Sequence, residues 1–186
     1  MPFSTTSFPG LLVYEPRVFG DHRGYFFESY NQQQFAAEGI TYRFVQDNQA
    51  SSVFGVIRGL HYQMNPHAQT KLVRVLHGRI VDAVVDLRKG SPAFGKAFWI
   101  ELSAENKKQL LVPRGFAHGY SVISETAEVL YKCDDFYNRD SEGGIAWNDP
   151  ALAIDWQVPA GKEMISAKDE ILPVFTQAAH NFEFNR

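Results

Sequence analysis

Residues 59–78, "GLHYQMNPHAQTKLVRVLHG", gather three histidines, two glutamines and a lysine within what otherwise reads as two strands and a turn. Side chains of these types support either a metal centre or proton chemistry. Imidazoles are common ligands of divalent ions, but such a site needs further neutral imidazoles or anionic oxygens. The Lys71 ammonium has no lone pair and would repel the ion, and Gln63 is a weak ligand. His61 and Lys71 have another use together. A neutral imidazole is a general base, and an ammonium beside it stabilises an oxyanion, the pair needed to take a proton next to a carbonyl. Two alternatives stay open: both residues could sit at a rim with ordinary hydrogen bonds, or His67, in the proline-containing turn, could join His61 and His118 in a rearranged metal site.

Positioning such groups falls to strands. Runs separated by Gly, Pro, Asn and Asp fill most of the chain, among them "LLVYEPRVF", "TYRFVQDNQ", "GVIRGLHYQ", "KLVRVLHGRIVDAVVDLR", "AFWIELS", "KQLLVP", "AHGYSVIS" and "AEVLYKCDDFY". The clearest alternation puts Val81, Ala83, Val85 and Leu87 on one face and Ile80, Asp82, Val84 and Asp86 on the other. If the acidic face looks into a barrel, Asp82 can meet a cation there; if it looks outward, both acids are merely solvated. One helix is expected at "NQQQFAAEG", with Asn31 as its cap and Gly39 at its end. The tail beyond "GKEMISAKDEI" reads equally as short helix or loop, and "NRDSEGGIAWNDP" as turns. Many antiparallel strands closing round a cavity place a ligand at its mouth.

Composition narrows the function classes. The 186 residues are 45% hydrophobic and 14% aromatic, enough for one domain with a core of its own. A formal net charge of -3 leaves no basic footprint for nucleic acid, so an anionic ligand must be held by a local group of Arg and Lys. A single cysteine, Cys133, forms no intrachain disulfide and fits a reducing cytoplasm. The first residues carry no basic flank before an apolar run, and no apolar stretch approaches ~20 residues, so neither export nor a membrane span is expected.

Gly55, five residues, His61-x-Gln63, a spacer, Lys71, six residues and Gly78 keep the frame of the first motif of cupin-type double-stranded β-helix proteins, with two metal ligands changed. A second motif survives in part as "PRGFAHGY", with Pro113, Gly115 and His118. In collinear order, "DHRGYFFES", "FVQDNQ", "VIRGLHYQ", "KLVRV", "VVDLRKGSPAFGK", "VPRGFAHGY", "YKCDDFY" and "ISAKDE" closely resemble the dTDP-4-dehydrorhamnose 3,5-epimerase family from about residue 10 to about 170. The resemblance implies an all-β, double-stranded β-helix (jelly-roll, cupin-like) barrel with a few short helices over residues 1–186. It also implies a homodimer that uses neither metal nor cofactor. Its substrate would be dTDP-4-dehydro-6-deoxy-D-glucose, inverted at carbons 3 and 5 to dTDP-4-dehydro-L-rhamnose.

By position, the resemblance makes His61 the base, Asp169 the carboxylate that orients it, Lys71 the enolate-stabilising cation and Tyr131 the acid on the opposite face. It puts Arg23, Glu28, Gln46, Asp47, Asn48, Arg58, His118, Tyr137, Glu142 and Lys168 on binding positions, Tyr137 stacking on the thymine. Taken singly, Arg23 and Glu28 read as a surface ion pair, the two tyrosines as core aromatics, Lys168 and Asp169 as a solvated face and His118 as a satisfied core histidine. Strict alternation sets Arg58 and His61 on opposite faces of one strand, and a bulge at Gly59 would bring both to one ligand. His22, His67, His77, His180 and Cys133 receive no role. Rival readings are a single-carbon epimerase of a related dTDP-4-keto sugar, a metal-dependent cupin and a non-catalytic sugar-nucleotide binder.

Overall fold

Alternating apolar residues, many of them β-branched, form strands where both faces can be covered. The computed structural model, which describes residues 2–184, has fourteen strands and two short α-helices. Four short strands, β1 (Phe3–Thr5), β2 (Leu12–Tyr14), β3 (Phe19–Asp21) and β4 (Gly24–Phe26), precede the helix α1 (Gln32–Ala37). Then come β5 (Gln46–Val53), β6 (Val56–Gln63), β7 (Lys71–His77), β8 (Arg79–Asp86), β9 (Ala97–Ser103), β10 (Gln109–Val112), β11 (Phe116–Val122) and β12 (Thr126–Cys133). The C-terminal part adds β13 (Glu142–Gly144), β14 (Met164–Ile165) and the single-turn helix α2 (Ala167–Glu170).

Two large sheets result. One runs β1-β2-β10-β7-β12-β5, the other β13-β6-β11-β8-β9 with β14 on β6, and β3 and β4 form a separate hairpin. Val73 and Val129 from the first sheet meet Ile80, Leu102 and Phe116 from the second in one buried cluster, so the sheets face each other as a jelly-roll of the cupin type.

Strand β8 shows how the alternation is used. Ile80 and Val84 enter the cluster between the sheets, while Ala83, Val85 and Leu87 pack outward against Ile145, Leu152, Trp156 and Phe182 of the C-terminal segment. Neither acid of this strand is solvated. Asp82 accepts from His118 at 2.9 Å, and Asp86 accepts from Arg88 at 2.7 Å and from Ser91 at 2.6 Å. A buried carboxylate without such partners would be strongly disfavoured.

Helix α1 forms where its signals place it. The Asn31 side chain accepts from the backbone N–H groups of Gln33 and Gln34, and Gly39 takes a φ of +79° just past its end. Phe35 turns inward against Tyr14, with ring centroids 5.0 Å apart, covering the outside of the first sheet at Leu72 and Leu111. Burying that ring contributes about 1.5–3 kcal/mol.

Two expected runs are shorter than they read. "LLVYEPRVF" breaks after Tyr14, ahead of Pro16, and β2 is paired on both edges, by β1 and β10. "TYRFVQDNQ" becomes strand only at Gln46, because Tyr42 and Phe44 pack beside Phe35 instead of alternating.

Candidate active site

The chemistry converges on β6. Facing strands pair His118 with His61 and Tyr120 with Arg58, so three steps along β6 match two along β11 and one residue is extra. This is the bulge that the opposed positions of Arg58 and His61 called for, and both side chains line the same cavity. Gly59 permits it. Its φ is +121°, and a Cβ there would stand 2.6 Å from Gly119 Cα and 2.8 Å from the His118 carbonyl oxygen.

Asp169 reaches the bulge from α2, far away in sequence. The Ser166 hydroxyl caps that turn by accepting from the Asp169 N–H, and the carboxylate meets His61 Nε2 at 2.6 Å and the Gly59 N–H at 3.3 Å. The carboxylate is 5% exposed and the imidazole 38%, so His61 offers its other edge to the cavity. Burial alone would raise the Asp169 carboxyl, but the hydrogen bonds and charge of His61, with Gly59 and Ser166, hold it below the ordinary carboxylate range. An ionised carboxylate only accepts, so His61 donates through Nε2 and turns Nδ1 to the cavity.

Across the cavity stand β7 and β12. Burial pushes the Lys71 ammonium below its usual value, while Cys133 and the Asp82 carboxylate work against that shift. No side-chain acceptor among the described residues takes a hydrogen bond from it, and its Nζ lies 5.8 Å from the Tyr131 ring centroid. Burial, with Cys133 and Tyr120 adding and Arg58 opposing, pushes the Tyr131 phenol up to about 12, so it keeps its proton at neutral pH. Asp82 therefore meets two cation-forming groups in the interior, His118 by hydrogen bond and Lys71 through space.

Two adjoining hollows make one cleft. The inner one, of about 480 Å3, is lined by Arg58, His61, Lys71, His118, Tyr131 and Asp169. The outer one, of about 370 Å3, shares His61, Lys71 and Tyr131 and adds Gln46, Asn48, Gln63, Gln69, Tyr137 and Glu142. Glu142 accepts from Lys168 at 2.8 Å at the margin. Burial raises the Glu142 carboxyl, yet Lys168, together with Tyr137 and His61, brings it below its ordinary value, and the same bond raises Lys168.

Three sequence candidates do not enter this cleft. Arg23 lies on the exposed β3–β4 hairpin and binds its own neighbour Asp21 at 2.6 Å. Glu28 accepts from Asn31 and Gln34 beside α1, and Asp47 points outward to Lys132 at 3.0 Å because β5 turns Gln46, Asn48, Ala50 and Ser52 inward. Sequence reasoning passed over Ser166, Gln69 and Tyr120. The capping pattern of Ser166 before "AKDE" and the alternation of Tyr120 with His118 were the available signals.

A closed jelly-roll with a ligand-sized cleft between its sheets, entered beside the frame positions His61, Gln63, Lys71 and His118, belongs to the cupin-type class. A family model described as dTDP-4-dehydrorhamnose 3,5-epimerase matches residues 5–177. The dTDP-4-dehydrorhamnose 3,5-epimerase of Shigella flexneri is 51% identical over 165 residues, 88% of this chain and 90% of that one. The crystal structure of that enzyme from Elizabethkingia anophelis superimposes with a TM-score of 0.90 at 51% identity, covering 94% of this chain and 96% of its own. A Legionella pneumophila epimerase solved with dTDP-4-keto-L-rhamnose gives a TM-score of 0.90 at 44% identity, covering 94% and 93%. The chain belongs to the dTDP-4-dehydrorhamnose 3,5-epimerase family and is an isomerase.

Proposed function

We propose that this chain inverts carbons 3 and 5 of dTDP-4-dehydro-6-deoxy-D-glucose by proton removal on one face of the sugar and proton return on the other. His61 Nδ1 takes the proton from the carbon next to the ketone, and the bond electrons move onto the keto oxygen as an enolate. The Lys71 ammonium holds that oxygen. Tyr131 then gives its proton to the carbon from the other side, the ketone re-forms, and solvent restores both groups before the second carbon is treated alike.

The observation that carries this reading is the placement of an oriented imidazole and a protonated phenol on facing sheets. His61 belongs to the sheet of β6, Tyr131 to that of β12, and both line the space between them. A ring lying there has one group on each side, which inversion needs and a binder does not. The Legionella relative's bound dTDP-4-keto-L-rhamnose supports the ligand class.

Arg58, His118 and Lys168 then serve the diphosphate and sugar, and Asn48, Tyr137 and Glu142 the nucleoside. Arg23 and Glu28 reach a ligand only from a second copy, which makes the homodimer the working form. Exposed Phe19, Tyr25 and Phe26 give the hairpin an apolar surface for that contact. The test is proton exchange in deuterated water followed by NMR. The unaltered protein should take up deuterium at both carbons and His61→Ala at neither. Normal exchange in the variant removes His61 from the mechanism, and label at one carbon alone makes the enzyme a single-carbon epimerase.

A further inference from the structure

Residues 135–138, leaving β12, carry two strongly exposed aromatic side chains, Phe136 at 64% and Tyr137 at 57%. Neither belongs to a buried apolar cluster among the described residues. Three glutamines from separate parts of the chain hold their backbone instead. Gln69 Nε2 donates to the Asp135 carbonyl at 2.8 Å, and Gln63 Nε2 donates to the Phe136 carbonyl at 3.2 Å. Gln46 Oε1 accepts from the Tyr137 N–H at 3.1 Å, and Gln63 Oε1 accepts from the Asn138 N–H at 2.8 Å. Four successive residues are thus tied, each by an amide side chain. Gln63 also donates to the His67 carbonyl at 2.6 Å, which occupies both its N–H groups and its oxygen while the residue is only 7% exposed.

We propose that Gln63 and Gln69 are positioning residues that pre-set Tyr137 as a platform for the nucleotide base. Gln63 stands where the cupin frame carries a metal-ligating histidine, and here that position clamps a loop. A loop already ordered loses little freedom when ligand arrives, so the stacking contact appears in full as affinity. The same arrangement reassigns Gln46. Its oxygen is taken by Tyr137 and its Nε2 donates to Asn48 at 3.1 Å, so it acts through the loop more than on the ligand. The inference rests on the reading of Tyr137 as the base-stacking residue.

Gln63→Met removes three hydrogen bonds at similar length, and Gln69→Met removes one and serves if the first variant fails to fold. In Gln63→Met, hydrogen exchange at the Tyr137 and Asn138 amides should speed up. The Kd for dTDP and the KM should each rise about tenfold, with kcat within about twofold. Gln69→Met should faster exchange at the Tyr137 amide and raise both constants about twofold to threefold. In a Tyr137→Ala background neither substitution should weaken dTDP binding further, because both act through that ring. Effects that multiply in the double variant, unchanged exchange, or a fall in kcat at constant KM would each overturn the proposal. Tyr137→Ala that binds dTDP normally overturns the stacking reading itself, while faster exchange in Gln63→Met would still support the clamp.

Discussion

A carboxylate that takes one nitrogen of an imidazole leaves the other to act as a directed base, and Asp169 takes Nε2 of His61 at 2.6 Å. Asp169→Asn keeps the shape but removes the charge, and kcat should fall by about 10²–10⁴-fold, measured on the keto-sugar nucleotide. The same carboxyl makes stability depend on pH. Its folded pKa is depressed. Its contribution is therefore present above the unfolded value near ~4 and is lost as pH falls through the lower folded value. The difference in Tm between the unaltered protein and Asp169→Asn should hold from neutrality down to about pH 4 and then shrink, closing once pH falls below the lower folded value. Lys71 behaves oppositely, because burial already disfavours its charge. Lys71→Met should leave stability unchanged or raise it by about 1 kcal/mol while lowering kcat about 10²–10³-fold, read by thermal unfolding and steady-state rates.

At the scale of elements, the site depends on a bulged strand and a single helical turn. Gly59→Ala forces a Cβ against Gly119 and the His118 carbonyl at a φ of +121°. Denaturant unfolding should show a loss of about 2–4 kcal/mol, with activity falling because His61 shifts with the strand. The bulge was legible in the sequence, since alternation set Arg58 and His61 apart and a glycine stood between them. Helix α2 was not. Four residues cannot nucleate a helix by themselves, so "AKDE" takes its turn from the Ser166 cap and from Asp169 docking on β6. Strand β5 likewise began later than its pattern, because Tyr42 and Phe44 found a better surface beside α1.

The whole molecule poses the question of the second copy. Arg23 and Glu28, which the resemblance puts on binding positions, stand outside the cleft of their own chain. Arg23→Ala alone should lose activity, and an active variant would leave Arg23 without a role. An equal mixture of Arg23→Ala and His61→Ala chains, unfolded and refolded together, should regain activity if Arg23 serves a partner's cleft, whereas no recovery would tie Arg23 to its own chain. Tyr25→Ser with Phe26→Ser should shift the mass seen by light scattering toward the monomer, since these exposed rings form the proposed contact.

Residue types, spacing and periodicity are properties of neighbouring positions. By itself the sequence therefore determined the all-β architecture, the altered cupin frame with lysine at position 71, the Asn31 cap and the family likeness. Only tertiary structure decided which candidates share a cleft. His61 and Asp169 lie 108 residues apart, Asp82 could have faced either way until the sheets closed over it, and Asp47 faces away from the cleft that Gln46 and Asn48 line. A side chain's direction depends on which surface its strand buries, and that is settled when distant segments pack, not where the chain is read residue by residue.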